Sequence, residues 1–182
     1  MTNIDMLLER NRAFARTNAR DRVPAIPFIP NRQTFLITCI DPRVDPAAVL
    51  GLQLGDAIVD RNVGGRVTPA VLRDVGWISH LHRAKSPDAE WFELAVIHHT
   101  DCGSGLLADD ALRHAFADQA GYDDAALAAL AVLDPATTVA ADVASLLASP
   151  MVDPNIRVSG HVYDLATGLV TEVVGPKSRK EG

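Results

Sequence analysis

An uninterrupted apolar run near the middle of the chain places the strongest constraint on the fold. Within residues 92–98, the segment Leu94-Ala95-Val96-Ile97 carries four apolar side chains in a row. A run of this kind is typical of a parallel strand that is buried on both of its faces. The segment therefore predicts a parallel sheet that is covered by helices.

The rest of the chain alternates between strand-like and helix-like patterns. Besides residues 92–98, the segments that resemble strands are 35–39, 57–63, 156–165 and 169–174, of which the last two form a hairpin. The segments that resemble helices are 3–20, 46–54, 68–83, 106–120, 124–133 and 137–148. This order indicates an α/β fold with flanking helices and a mainly parallel central sheet of about four parallel strands plus one antiparallel edge strand.

Length and composition favour a single domain over residues 1–182. Of the 182 residues, 48% are hydrophobic and 22% are charged, which is an ordinary globular balance. Residues 1–30 are interpreted as an N-terminal helix and an extended arm, because Pro24, Pro27 and Pro30 restrict the backbone after the helix.

Charge and hydropathy exclude several classes of partner. The net charge is −6, and basic residues cluster only in the short tail 177–180, so a nucleic acid is not an expected partner. The N-terminus lacks the pattern of a secretory signal, and no apolar run approaches the roughly 18 residues that a membrane span requires. We therefore expect a cytoplasmic protein without a membrane segment.

The chain has two cysteines, Cys39 and Cys102. In a reducing compartment such a pair more often binds a metal or takes part in chemistry than forms a structural disulfide. A disulfide and two unrelated buried thiols remain the alternatives at this point.

The neighbours of the two cysteines favour a metal site. Cys39 ends the first predicted strand, and the third predicted strand runs into His99-x-x-Cys102. Ligands gather at the carboxyl ends of parallel strands, so the three side chains are expected at one edge of the sheet. Thiolate and imidazole are preferred ligands of zinc, and three protein ligands leave a fourth position open.

Two charged residues follow Cys39 closely. Asp41 is near enough to ligate the metal or to accept a hydrogen bond from a water beside it. The planar guanidinium of Arg43 suits a two-pronged clamp on that carboxylate. A structural zinc that Asp41 closes as the fourth ligand, and an Asp-Arg pair that only braces a turn, are the alternative interpretations.

A family resemblance rests on two paired motifs, Cys39-x-Asp41-x-Arg43 and His99-x-x-Cys102-Gly103. Together they resemble the signature of the β-class carbonic anhydrases. The segments 55–65 and 160–168 are similar to further parts of that family, so the likeness extends over about residues 34–174. The residue between Asp41 and Arg43 is usually small in the family, and here it is Pro42.

The resemblance implies a zinc lyase that hydrates carbon dioxide reversibly to bicarbonate and a proton. By analogy, Cys39, His99 and Cys102 hold one zinc per chain, and zinc-bound hydroxide attacks the substrate. Asp41 accepts the hydrogen bond of the hydroxide, and Arg43 holds Asp41 away from the metal. In some members the matching aspartate moves onto zinc, so Asp41 is also a possible fourth ligand in a closed state.

The resemblance also implies a homodimer or homotetramer, with the N-terminal helix lying across a partner subunit. That helix could equally pack on its own subunit. Two further functions stay open: hydrolysis of carbonyl sulfide or carbon disulfide at the same site, and a non-catalytic zinc-binding or regulatory module.

Two residues beside the predicted ligands are given structural roles. His98 should point to the opposite face of its strand from His99 and pack there with hydrogen bonds. Asp101 is expected to cap the helix that follows it.

Overall fold

The computed structural model describes residues 3–18, 21 and 29–181. The helices are α1 Asn3–Ala15, α2 Pro46–Leu50, α3 Pro69–Lys85, α4 Asp110–Ala120, α5 Asp124–Ala128 and α6 Pro135–Ala148. The strands are β1 Thr34–Cys39, β2 Ala57–Asn62, β3 Glu93–His99, β4 Val158–Tyr163 and β5 Val170–Lys177. Short 3-10 turns lie at Pro42–Val44, Val63–Gly65 and Gly103–Ala108.

The five strands form one sheet in the order β2-β1-β3-β4-β5. The first four strands in this order run parallel to one another, and β5 pairs antiparallel with β4 at one edge. The predicted α/β fold, with a mainly parallel sheet and one antiparallel edge strand, is therefore confirmed.

The predicted apolar run of β3 lies in the centre of the core. Leu94 and Val96 are fully buried, and Ile97 is almost fully buried. Helices α3 and α6 cover the sheet with a set of buried aliphatic side chains: Val71, Val75, Val139, Val143 and Leu146. Leu94 and Val96 lie on the face of β3 that these helices cover, and Ile97 on the other face is buried as well, which accounts for the continuous apolar pattern.

Four predicted helices are shorter in the structure, and the cause is local in two of them. The helix predicted over 46–54 ends at Leu50, because Gly51 takes a left-handed conformation with φ 69°. The helix predicted over 106–120 begins only at Asp110, because the Asp109 carboxylate accepts a hydrogen bond from the Leu112 amide and caps α4 there. The helices predicted over 3–20 and 124–133 end at Ala15 and Ala128.

Of the N-terminal segment, the structure describes the helix α1, Asn3–Ala15. No residue of α1 is buried, although Phe14 at its end lines a cavity with Pro46 and Val59 of the same subunit. Pro24 and Pro27, which predict the extended connector, lie outside the described residues. Within the part of the chain that the structure describes, no helix has the length and apolarity needed to cross a bilayer.

The sheet order brings two strand ends next to each other. Strands β1 and β3 are hydrogen-bonded neighbours, so Cys39 and His99 end their strands at the same edge of the sheet. The turn after β2 also passes close to this edge. Gly65 has φ 66°, and a Cβ there would lie only 2.8 Å from the backbone nitrogen of Cys39, so only glycine fits.

Candidate metal centre

The structure brings Cys39, His99 and Cys102 together at the carboxyl edge of the sheet. One potential ligand atom from each residue lies within 4.8 Å of the other two. Cys39 and His99 are buried, and Cys102 is half-buried in the turn that follows β3. Three soft or borderline donors at this spacing match the ligand set of zinc.

The His99 ring is oriented for a metal by its own backbone. Its Nδ1 lies 2.9 Å from the carbonyl oxygen of Thr100, so Nδ1 carries the proton and donates it to that oxygen. This tautomer leaves a lone pair on Nε2. His99 Nε2 is buried without a hydrogen-bond partner, which is costly for a polar atom unless a ligand binds it.

The two cysteine sulfurs also fit a shared metal. They lie 3.9 Å apart, close to the about 3.8 Å that two sulfurs keep when each is about 2.3 Å from a tetrahedral zinc. Both cysteines are free, so the disulfide alternative does not describe this structure. The contact between the two sulfurs lowers the pKa of Cys102 below its ordinary value and raises that of Cys39.

Arg43 holds the Asp41 carboxylate by both of its oxygens. Arg43 Nε donates to Asp41 Oδ1 at 3.0 Å and Arg43 Nη2 donates to Asp41 Oδ2 at 2.7 Å. The Arg43 backbone N–H also donates to Oδ1 at 2.9 Å. These hydrogen bonds lower the pKa of Asp41 to about 2, so the carboxylate is ionised near neutral pH.

Pro42 shapes the backbone of this clamp. Asp41 has φ −52° and ψ 126°, the extended ψ that a residue before proline favours. Pro42 then opens the 3-10 turn Pro42–Val44, which returns the Arg43 amide and side chain toward Asp41.

The prediction that Asp101 caps the following helix is wrong. The turn after it has Cys102 at its N-cap position and no side-chain cap hydrogen bond. Asp101 instead accepts hydrogen bonds from Arg43, with Arg43 Nη1 at 2.8 Å from Oδ2 and Arg43 Nη2 at 2.9 Å from the backbone oxygen. Its backbone is left-handed, with φ 53°, which turns both acceptors toward the guanidinium.

Two polar residues of the site are not predicted by the motifs. Arg61 Nε donates to the carbonyl oxygen of Cys39 at 3.0 Å, and Arg61 Nη2 donates to that of Asp41 at 2.7 Å. The hydroxyl of Ser104 lies 3.2 Å from Cys102 Sγ. The parallel pairing of β1 with β2 places Arg61 opposite Thr38, next to Cys39. The role of Arg61 can therefore be predicted only when this strand pairing is known.

His98 has the packed role that was predicted for it. The ring is fully buried, with Nδ1 2.8 Å from the Thr138 hydroxyl and Nε2 3.2 Å from the carbonyl oxygen of Gly65. Nε2 also lies 3.2 Å from Asp142 Oδ2, and Asp142 pairs with Arg66 at 2.8 Å. His98 thus connects β3 to α6 and to the turn after β2.

An apolar cavity of about 450 Å³ opens beside Cys39 and Asp41. Its walls are formed largely by aliphatic and aromatic side chains: Ile40, Val63, Leu106, Leu107, Leu112 and Phe116. Such a cavity suits a small molecule without charge better than an ion.

Comparisons with known proteins point to one family. A family model described as carbonic anhydrase matches residues 34–123. The crystal structure of carbonic anhydrase from Streptococcus mutans has a TM-score of 0.75 and 33% identity, and the match covers 95% of this chain and 98% of that one.

Two curated relatives are less similar in sequence. Beta-carbonic anhydrase 1 of Mycobacterium tuberculosis is 29% identical, over 81% of this chain and 86% of the relative. Carbon disulfide hydrolase of Acidianus is 27% identical, over 80% of this chain and 78% of the relative. With the S. mutans enzyme matched over nearly its full length, the chain belongs to the β-class carbonic anhydrase family.

Proposed function

We propose that this enzyme hydrates carbon dioxide reversibly to bicarbonate and a proton, with one zinc ion per chain. The observation that carries the proposal is the Asp41 carboxylate, held by Arg43 through both oxygens next to the cluster of Cys39, His99 and Cys102. A structural zinc site needs three or four ligands but no adjacent charged pair.

Cys39, His99 and Cys102 are the proposed zinc ligands. Zinc bound there would supply a Lewis acid that makes a water molecule acidic near neutral pH. Hydrogen bonds support two of the ligands: Thr100 accepts from His99, and the hydroxyl of Ser104 contacts the sulfur of Cys102. Such outer contacts orient ligands and tune the metal.

Asp41 is proposed to orient the attacking water. Because Arg43 keeps it ionised, the Asp41 carboxylate can only accept a hydrogen bond, so a neighbouring water or hydroxide must point its proton toward Asp41. A lone pair of the water oxygen then faces the carbon of the substrate. The new C–O bond forms as one C=O electron pair moves to oxygen, and the proton of the water leaves to solvent.

The apolar cavity is the proposed substrate site. Carbon dioxide is small, linear and uncharged, and Val63, Leu107 and Phe116 offer it no competing hydrogen bonds. The charged product is disfavoured among the same side chains, which assists its release.

Hydrolysis of carbon disulfide or carbonyl sulfide is the second candidate. Relatives named carbon disulfide hydrolase, 27% identical over most of the chain in one case, favour it, and the cavity is equally apolar for sulfur analogues. A non-catalytic zinc-binding or regulatory module is the third, and the Arg43 clamp on Asp41 argues against it.

Stopped-flow hydration of carbon dioxide tests the proposal, with zinc content measured on the same samples. The wild type should be active. Cys102→Ala should lose zinc and activity together, whereas Asp41→Asn should keep zinc and lose about a hundredfold in rate, as expected when a group that directs a proton is removed.

A carbon disulfide assay on the same samples separates the candidates. Background hydration of carbon dioxide by a wild type that holds one zinc per chain would contradict the proposal. Hydrogen sulfide release would then identify the sulfur substrates, and inactivity in both assays would identify the binding module.

We further propose that residues 1–182 form one zinc-binding domain that works in the cytoplasm as a homodimer or homotetramer. A reducing compartment keeps the two cysteine ligands free. Helix α1 supports self-association, because Ile4, Leu7, Leu8 and Phe14 are exposed on it.

A further inference from the structure

We propose that Asp101 is a positioning residue for Arg43. Asp101 binds the edge of the guanidinium that faces away from Asp41, and so holds Arg43 in the orientation that donates to Asp41. Arg43 in this orientation keeps the Asp41 carboxylate from coordinating the metal. The inference rests on the proposed zinc site, and it adds a third residue to the Asp41-Arg43 pair.

The Arg43 side chain is engaged on two sides. Nε and one N–H of Nη2 point to Asp41, whereas Nη1 and the second N–H of Nη2 point to Asp101. The guanidinium is planar and rigid, so it cannot rotate toward solvent without breaking bonds to both residues. With Asp101 absent, only the bonds to Asp41 would limit the motion of Arg43.

Asp101 lies in the sequence next to the proposed zinc ligands. It lies between two proposed ligands, two residues after His99 and one before Cys102. Arg43 follows the third proposed ligand, Cys39, by four residues. The Arg43–Asp101 contact therefore connects the loop after β1 to the loop after β3.

The conformation of Asp101 shows that it is not there for packing. Its side chain is 81% exposed, so it contributes no core contact. Yet the residue has φ 53°, one of two positive values among the non-glycine residues that the structure describes, the other being Gln33 at 48°. Aspartate tolerates this conformation better than most residues, but glycine would adopt it without strain.

Asp101→Gly therefore tests the role of the carboxylate. It removes that group, keeps the backbone acceptor and relieves the strain of the positive φ. Gln33→Gly is the matched control for the relief of strain, because it is remote from the metal site. Asp101→Asn, which keeps a neutral acceptor, should give an intermediate result. Thermal unfolding of the metal-free proteins should show that no variant is less stable than the wild type.

The first readout uses the metal-free protein. Exchange of the Arg43 Nε–H with water, followed by NMR, should become faster in Asp101→Gly by about two- to fivefold, the factor that an exposed ion pair is typically worth. It should not change in Gln33→Gly. An unchanged exchange rate in Asp101→Gly would overturn the proposal.

The second readout is the position of Asp41 in crystals of the zinc-loaded proteins, grown at one pH. In Asp101→Gly, an Asp41 oxygen should occupy the coordination shell of zinc in a larger fraction of molecules than in the wild type. Asp41 held by Arg43 to the same extent in both proteins would contradict the inference. Neither readout requires turnover, so an inactive enzyme would refute the proposed function and leave this inference decided by its own data.

Discussion

At the residue scale, the proposed ligands are predictable because their chemistry coincides with their place in the chain. Cys39 closes one strand pattern and His99 closes another, and Cys102 follows three residues later. Residue type and strand end are both visible in the sequence. The structure brings all three within 4.8 Å, as expected for neighbouring parallel strands.

The supporting residues were harder to predict because their partners are distant in sequence. Asp101 pairs with Arg43 across 58 residues, and a local interpretation made it a helix cap. Arg61 reaches Cys39 across 22 residues, from a strand whose pairing partner a single sequence does not specify. A long polar side chain has many possible hydrogen-bond acceptors, and only the folded geometry determines which of them it contacts.

At the element scale, element type was more predictable than element length. The apolar run of β3 and the Thr68-Pro69 start of α3 determine their elements through burial and capping. The helix predicted over 106–120 was split because a 3-10 turn, Gly103–Ala108, precedes α4. Caps such as Asp109 compete with a continuing helix, and a periodic pattern does not resolve that competition.

The attachment of α6 to the sheet gives a prediction at this scale. Asp142 of α6 is 3% exposed, and its oxygens accept hydrogen bonds from Arg66 at 2.8 Å and 3.1 Å. Asp142→Asn should destabilise the metal-free protein by about 3 kcal/mol in urea unfolding, since it leaves the Arg66 charge without its partner. The exposed Asp74→Asn, which also loses an arginine partner, should leave the unfolding midpoint unchanged.

The effect of Asp142 should depend on pH in a defined direction. Burial raises the pKa of Asp142, but hydrogen bonds from His98 and Arg66 outweigh it and leave the pKa below its ordinary value. The stability that ionised Asp142 contributes is therefore complete above about pH 5 and is lost as the pH falls through the lowered pKa. A difference between wild type and Asp142→Asn that grows below pH 4 would contradict this account.

At the scale of the whole molecule, the sheet was predictable and the assembly was not. Alternating strands and helices indicate a parallel sheet, because parallel strands need crossover connections. The order β2-β1-β3-β4-β5 required the structure. Whether α1 packs on its own subunit is open from sequence; in the structure none of its residues is buried, and only Phe14 is seen to line a cavity with other residues of the described subunit.

The exposed apolar face of α1 predicts self-association. Leu7 is 53% exposed and Leu8 is 45% exposed, and both lie on the same side of the helix as Ile4. The wild type should sediment as a dimer or tetramer, and Leu7→Glu should shift it toward the monomer. Ala13→Glu adds the same charge on the opposite side and should leave the assembly intact. A monomeric wild type, or equal effects of both variants, would refute this role for α1.

The central claim is that Cys39, His99 and Cys102 bind one zinc ion, and X-ray absorption at the zinc edge tests it most directly. We expect one zinc per chain with two sulfur ligands at about 2.3 Å and a nitrogen ligand at about 2.0 Å. Cys102→Ala should lose the metal, whereas Ser104→Ala, which removes only a contact to the sulfur, should keep it. A zinc shell without sulfur, or full zinc occupancy in Cys102→Ala, would contradict the account.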